Sequence, residues 1–165
     1  MKNIKINNEK PVFDLLDSLD IEYRLLRHDP VFTADDAASV LAPDELGLKT
    51  LILRNRAGDA FFVVALPDNE RADIKSLEKI TNTDKLIFAT EDNLREYFAI
   101  AAGSVSPFVC LSADNAPGYK LLISKKILNA QQIAVHPNNN VFTVILSKSD
   151  FLSVLDVICE DYIVF

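Results

Sequence analysis

Two β-forming runs separated by a short turn constrain the fold of this 165-residue chain more than any other feature. The runs are Lys49–Arg54 and Ala60–Leu66, both rich in Leu, Ile, Val and Phe. Asn55–Asp59 joins them and contains Gly58, which supplies the backbone freedom of a tight turn. The pattern predicts a β-hairpin, around which the rest of the chain has to build its sheet.

The flanking segments alternate between helical and strand-like patterns. Apolar periodicity or a capping residue predicts helices over Glu9–Leu19, Thr33–Leu41, Asp73–Ile80, Thr90–Phe98 and from Ser147 onward. Further strands are predicted at Ile21–Leu26, Leu86–Ala89, Tyr119–Ile123, Ile133–His136 and Val141–Leu146. Short helices among about seven strands predict an α+β (mixed α/β) fold. We expect a single domain over residues 1–165, with a central mixed, largely antiparallel sheet and helices packed around it.

The composition is that of an ordinary globular domain, with 49% hydrophobic and 25% charged residues. No apolar run approaches the ~18 to 20 residues that a membrane span requires, and the first residues show no hydrophobic signal segment. Cys110 and Cys159 lie in apolar contexts, which predicts buried thiols rather than a disulfide or a nucleophile. These features predict a cytoplasmic location.

The formal net charge of −7 argues at first against a nucleic-acid partner. The charge is unevenly distributed, because residues 49–85 contain seven basic and six acidic side chains while the flanks are acidic. A local basic patch suffices for a protein that grips only the terminal nucleotide of an RNA. Such binding is expected to be weak and to have a shallow salt dependence.

The common catalytic signatures are missing from the sequence. It has no Gly-x-Ser-x-Gly elbow, no Gly-rich phosphate loop, and no histidines or cysteines at metal-binding spacing. The two histidines, His28 and His136, have no suggestive neighbours for a catalytic triad. An enzyme with this sequence is expected to need no metal or cofactor and to act by positioning and electrostatics.

Three local features are compatible with a catalytic or ligand-binding site, and each also has an ordinary structural interpretation. Lys49 follows an expected Gly47-Leu48 turn, and is either a strand-end lysine in solvent or an ammonium placed for a phosphate or oxyanion. Gly103–Phe108 is either a turn into the next strand or a loop whose N–H groups approach a ligand closely. His136–Asn140 has the composition of a turn.

Taken in order, these features resemble the motifs of the bacterial prolyl-tRNA editing family, the YbaK-like domain of the free-standing ProX/PrdX type. His28–Thr33 resembles His-x-Pro-Val-Phe-Thr, and Lys49–Arg54 resembles Lys-Asn-Leu-Phe-Leu-Lys. Leu66–Lys75 resembles Leu-Pro-Gly-Asp-Lys-Arg-Val-Asp-Leu-Lys. Gly103–Phe108 resembles Gly-Ser-Val-Thr-Pro-Phe, and His136–Asn140 resembles His-Pro-Leu-Val-Asn. The resemblance covers about residues 12–155, and its strength lies in five motifs in the right order.

The resemblance implies a metal-independent aminoacyl-tRNA hydrolase that removes a wrong amino acid from proline tRNA. The His-Pro loop is of the type found in members that remove alanine, so alanine is the implied amino acid. It implies that Lys49 orients the terminal adenosine through its phosphate, and that the Gly103–Pro107 loop surrounds the aminoacyl group. A pocket that excludes proline by size would act as a second sieve. The implied catalytic residues are Lys49, Gly103, Ser104 and Pro107. The implied substrate-binding residues are Val105, Ser106, His136, Asn140, Thr33, Arg54 and Arg71.

The chain also departs from the family pattern. Arg54 replaces a common lysine, and Asn138 and Asn139 replace an apolar pair near the expected pocket. Cysteine or serine therefore remains an alternative to alanine. Two other classes also remain open: a module that binds aminoacyl-tRNA or a synthetase without turnover, and an unrelated small-molecule-binding domain. Aminoacyl-tRNA is the expected partner, with prolyl-tRNA synthetase as a further candidate.

Overall fold

The structure is a computed structural model that describes residues 8–30 and 40–165. Its strands are β1 (Arg24–Arg27), β2 (Glu45–Asn55), β3 (Phe61–Pro67), β4 (Leu86–Phe88), β5 (Tyr119–Ile123), β6 (Gln132–Val135), β7 (Phe142–Ser147) and β8 (Tyr162–Val164). Its α-helices are α1 (Lys10–Ser18), α2 (Ile74–Thr81), α3 (Glu91–Phe98) and α4 (Lys148–Ile158). Two 3-10 helices cover Pro107–Ser112 and Lys125–Asn129.

The predicted hairpin is confirmed and forms the centre of the sheet. Strands β2 and β3 pair in antiparallel fashion from Leu48 opposite Pro67 to Arg54 opposite Phe61. In the turn, Gly58 has a φ of +79°, and its N–H donates to the side-chain oxygen of Asn55 at 2.9 Å. The asparagine side chain therefore closes the turn that glycine makes conformationally possible.

The described strands form one mixed sheet in the order β1-β7-β6-β2-β3-β5-β8, with β4 beside β2. The β6/β2, β3/β5 and β5/β8 pairs are parallel and the other pairs are antiparallel. On the edge of β2 away from β3, Glu45–Gly47 pairs with β6 and Leu53–Asn55 pairs with β4. No described strand pairs with residues 48–51 on that edge, so the sheet has a gap beside Lys49. The mixed sheet with helices packed on it confirms the predicted α+β class.

Apolar side chains cover both faces of the sheet, and β3 is buried throughout. Alternate residues of β3 enter different cores, because successive side chains of a strand point to opposite faces. Phe61, Val63 and Ala65 join the larger core, with buried residues of α1, α3, α4 and the first 3-10 helix. Phe62, Val64 and Leu66 join the smaller core, with Leu77 of α2. The hairpin is thus fixed on both sides, which makes β2 a rigid support.

Side chains cap the start of three helices, and the caps predicted at Thr90 and Ser147 are confirmed. The Asp73 side chain accepts a hydrogen bond from the N–H of Ser76. Thr90 and Asn93 form a reciprocal capping box at the start of α3. Ser147 accepts from the N–H of Asp150 at the start of α4. Each cap satisfies an N–H group that the first helical turn leaves without a partner.

Several sequence expectations need correction. Gly47-Leu48 is not a turn, because β2 begins at Glu45 and Lys49 is its fifth residue. The strand expected from Ile21 begins only at Arg24. Gly103–Pro107 leads into a 3-10 helix rather than into a strand. Strand β8 was not predicted. The helix expected over Thr33–Leu41 falls largely in residues 31–39, outside the described residues.

Candidate active site

The first component of the site is a histidine held at the end of β1. His28 Nδ1 lies 2.8 Å from the carbonyl oxygen of Asp29, and Nε2 lies 2.8 Å from Thr143 Oγ1 on β7. A carbonyl can only accept, so Nδ1–H donates to Asp29, and Nε2 shares its hydrogen bond with the Thr143 hydroxyl. These two contacts fix the orientation of the imidazole.

His136 follows β6 and faces His28, with the two ring centroids 5.9 Å apart. Burial, with His28 as the second cause, lowers the pKa of His136 to about 4, so its imidazole is neutral at physiological pH. Within the described part of the chain, neither of its ring nitrogens forms a hydrogen bond. His136 therefore offers one donor and one acceptor to a ligand.

Lys49 and Asp68 are opposite charges close to each other, because the charge of Lys49 opposes the burial that raises the pKa of the Asp68 carboxyl. Lys49 lies on β2 opposite Leu66 of β3, and Asp68 directly follows β3. Lys49 shares a sheet face with Gly47, two residues earlier, because side chains alternate along a strand. Among the described residues, Lys49 forms no hydrogen bond and no ion pair within 4 Å. Its ammonium is therefore free to bind an anion.

A small cavity lies between the two histidines and Asp68. Its polar lining consists of His28, Asp68, His136 and Thr143, and Gly47, Leu48 and Ala134 contribute to its walls. The water-accessible space is about 20 Å³, which is room for about one water molecule or a group of similar size. The cavity thus combines two imidazoles and a carboxylate around a space that admits only a small group.

The Gly103–Pro107 loop begins with a turn on the surface. Ser104 N–H donates to the carbonyl of Ala101 at 3.2 Å, and the exposed Gly103 has a φ of +86°. A Cβ built on Gly103 meets no atom within 4 Å. Glycine is therefore required here by its backbone conformation and not by crowding within the protein.

The second half of this loop is buried. Ser106 caps the first 3-10 helix by accepting from the N–H of Phe108 at 3.1 Å. Pro107 is the buried first residue of that helix, and Val105 packs against the larger core. The N–H groups of Val105 and Ser106 donate to no acceptor among the described residues. Backbone N–H groups without an acceptor can stabilise a developing negative charge.

Other residues expected at the site lie elsewhere. Arg54 is near the hairpin turn, where its Nη1 donates to the carbonyl of Asn55 at 3.3 Å, and is about 16 Å along β2 from Lys49. Arg71 is exposed between β3 and α2. Asn140 lies in the turn between β6 and β7, and Thr33 falls outside the described residues. Gly47 pairs with Ala134 in the parallel β2/β6 ladder, so Lys49 and His136 each lie two residues beyond this pair. Arg54 lies at the far end of β2.

The remaining reactive groups do not form a second centre. Burial raises the pKa of the Cys110 thiol to about 12, which leaves almost no thiolate at neutral pH. Both cysteines are free. Cys110 is buried as predicted, whereas Cys159 is only half-buried. Among residues 8–30 and 40–165, no group of three His, Cys, Asp or Glu residues is arranged to hold a metal. No helix in the same ranges has the length and apolarity needed to cross a bilayer.

Comparison with known proteins identifies the class to which this fold and site belong. Residues 28–154 match the family model of the aminoacyl-tRNA editing domain, and the chain belongs to this family of aminoacyl-tRNA hydrolases. It is 34% identical over 143 residues to the prolyl-tRNA editing protein ProX of Acetoanaerobium sticklandii, covering 86% of this chain and 87% of that protein. The resemblance read from the sequence motifs is thereby confirmed.

Two solved structures show the same fold. A putative trans-editing enzyme for prolyl tRNA synthetase superposes with a TM-score of 0.74 at 16% identity, covering 96% of this chain and 95% of that one. A hypothetical protein superposes with a TM-score of 0.74 at 19% identity, covering 94% of this chain and 97% of that one. At these identities the comparison establishes the architecture alone.

Sequence reasoning missed two members of the cavity. It assigned no role to Asp68, although this acidic residue comes directly after a buried strand, where polar side chains of a sheet protein often reach a cleft. It found no neighbour for His28, because the partner ring of His136 is far away in the sequence. Only the pairing of β1 with β7 and of β7 with β6 brings the two histidines together.

Proposed function

We propose that this protein acts in trans as a deacylase of mischarged proline tRNA, with alanyl-tRNA(Pro) as its substrate. The observation that carries the proposal is the size and lining of the cavity beside Lys49. Water-accessible space of about 20 Å³ suits a methyl group but not the ring of proline. The ProX name of the relative from A. sticklandii supports proline tRNA as the RNA.

In this proposal Lys49 binds a phosphate at the 3′ end of the tRNA. An ammonium without a partner among the described residues, on a strand held from both faces, is preorganised for an anion. The neutral imidazole of His136 and the hydroxyl of Thr143 line the space that receives the methyl group of alanine. Neither group carries a charge that would compete with Lys49 for the phosphate.

The ester is hydrolysed by a water molecule without a covalent intermediate. An aminoacyl ester is already activated, and the neighbouring ribose hydroxyl of the substrate assists the attack. The N–H groups of Val105 and Ser106 stabilise the oxyanion of the tetrahedral intermediate. Gly103 and Ser104 shape the turn that presents these groups, and Pro107 anchors its far end.

The body of the tRNA requires a separate surface. Two adjoining shallow grooves lie between the β2–β3 turn and α2, and their charged residues are Arg56, Lys75, Lys79 and Lys85 with Glu78 and Asp84. Four positive groups against two negative ones make this region basic in a chain of net charge −7. Asn55 lies about 20 Å along β2 from Lys49. We propose that the grooves bind phosphates of the acceptor stem.

The proposal includes a cytoplasmic protein of one domain, with prolyl-tRNA synthetase as a further partner. A deacylation assay tests it. Purified protein is mixed with alanyl-, cysteinyl-, seryl- and prolyl-tRNA(Pro), and the loss of each ester is followed. Rapid loss of the alanyl ester alone supports the proposal. Binding without loss of any ester supports a non-catalytic module, and preference for another ester revises the substrate.

A further inference from the structure

Asp68 is held in place by the backbone of β2. Its N–H donates to the carbonyl of Gly47 at 2.9 Å. Its carboxylate lies directly against Gly47, since a Cβ on that residue would be 2.3 Å from Asp68 Oδ2. Gly47 is therefore the residue that leaves room for this carboxylate, and the position of Asp68 follows from the strand register rather than from an ion pair.

The carboxylate is short of partners for its charge. Within the described residues no side chain donates a hydrogen bond to it, and no cation lies within 4 Å. Loss of solvation raises the pKa of Asp68, against the opposing effects of the Asn69 N–H and of Lys49. A partly buried carboxylate with these surroundings gains most from a cationic ligand group that enters the cavity.

The proposed substrate supplies such a group. In alanyl-tRNA the α-carbon bears both a methyl and an ammonium group, so a cavity that takes the methyl has the ammonium at its wall. The terminal nucleotide also carries a phosphate anion on the far side of the ribose. Asp68 lines the cavity, and Lys49 is close enough to oppose the rise that burial causes in the pKa of this carboxyl. The two residues therefore present the complementary pair of charges.

We propose that Asp68 binds the α-ammonium group of the aminoacyl ester while Lys49 binds the phosphate. This inference rests on the proposed function. It makes Asp68 a substrate-binding residue that selects a free amino group. Esters with a blocked or absent amino group are then poor substrates even when their side chain fits.

The test compares two stable analogues of the tRNA end, alanyl and lactyl amides of 3′-amino-3′-deoxyadenosine 5′-phosphate. The lactyl compound has a hydroxyl in place of the ammonium group. We expect the wild-type protein to bind the alanyl analogue about 10- to 100-fold more tightly, as for hydrogen bonds to charged groups. Asp68→Asn should abolish this preference without weakening lactyl binding. Glu70→Gln is the control, because Glu70 pairs with Lys126 outside the cavity lining.

Equal binding of the two analogues by the wild-type protein would overturn the inference. An equal loss for both analogues in Asp68→Asn would do so too, because it would indicate a purely structural role. Binding requires no turnover, so the outcome is independent of the deacylation assay. A protein that prefers the alanyl analogue but leaves alanyl-tRNA(Pro) intact would contradict the proposed function and retain the role of Asp68.

Discussion

The Ser106 hydroxyl donates a hydrogen bond of 2.7 Å to the side-chain oxygen of Asn138, with both residues buried. This contact joins the Gly103–Pro107 loop to the loop that carries His136. Asn138 has a φ of +60°, a conformation that asparagine tolerates better than most residues. The two loops therefore share one polar link, and their relative position depends on it.

Removing this link should lower both stability and activity. Ser106→Ala leaves the Asn138 oxygen buried without its donor, which costs about 1 to 3 kcal/mol of unfolding free energy. We expect a larger relative loss in deacylation, because both loops contribute to the proposed site. Urea unfolding and initial rates measure the two effects. Ser153→Ala is the control, because it loses an exposed hydrogen bond on α4. Effects of Ser106→Ala on stability and rate as small as those of Ser153→Ala would contradict the role of the Ser106–Asn138 hydrogen bond.

Gly103→Ala should reduce activity far more than stability. The new Cβ meets no atom within 4 Å, but a φ of +86° disfavours alanine by about 1 kcal/mol. Gly58→Ala is a matched control, because Gly58 has a φ of +79° and lies in the β2–β3 turn. Thermal melts should shift similarly for both variants, whereas only Gly103→Ala should slow deacylation per folded molecule. Equal activities of the two variants would show that the Gly103–Pro107 loop is not part of the active site.

The neutral state of His136 should appear in the pH dependence of stability. Its pKa falls from 6.5 in the unfolded chain to about 4 in the folded protein, so the unfolded state binds the proton first as pH falls. Stability contributed by neutral His136 is therefore complete above pH 6.5 and is lost between about pH 6.5 and 4. His136→Gln should lose less stability than the wild type over this range in chemical denaturation. Parallel pH profiles would contradict a neutral, buried His136.

The elements that the sequence predicted best are those with local causes. The hairpin followed from residue type and Gly58, and the caps at Thr90 and Ser147 followed from neighbouring residues. Gly47 was misassigned to a turn because the need for glycine there comes from a residue distant in the sequence. The Asp68 carboxylate lies against Gly47 and leaves no room for a Cβ. Strand β8 was missed because its partner β5 lies about 40 residues earlier. The His28–His136 pair also depends on contacts that only the folded sheet creates.

The basic grooves predict a specific salt dependence. Lys79→Gln combined with Lys85→Gln should raise KM for alanyl-tRNA(Pro), leave kcat unchanged and lower the salt slope by about 1.8, at about 0.9 per phosphate contact of a duplex. Arg95→Gln is the control, since Arg95 is an exposed cation on α3, which packs on the other face of the sheet. Rates at several salt concentrations measure the slope. Unchanged slopes would exclude the grooves from tRNA binding.

Lys49 is the residue on which the proposed site most depends. Lys49→Ala should fold normally, because this side chain forms no hydrogen bond or ion pair among the described residues, and should lose about 100-fold or more of the deacylation rate. Lys49→Arg should also be impaired, because a broad planar guanidinium does not replace a compact ammonium. Circular dichroism provides the control for folding.

The initial rate of deacylation of alanyl-tRNA(Pro) and prolyl-tRNA(Pro), by the wild-type protein and by Lys49→Ala, tests the central claim most directly. We predict rapid loss of the alanyl ester, no loss of the prolyl ester above the spontaneous rate, and near-complete inactivity of the variant. Cleavage of the prolyl ester at a comparable rate would contradict the size selection by the cavity. Full activity of Lys49→Ala would contradict the proposed site.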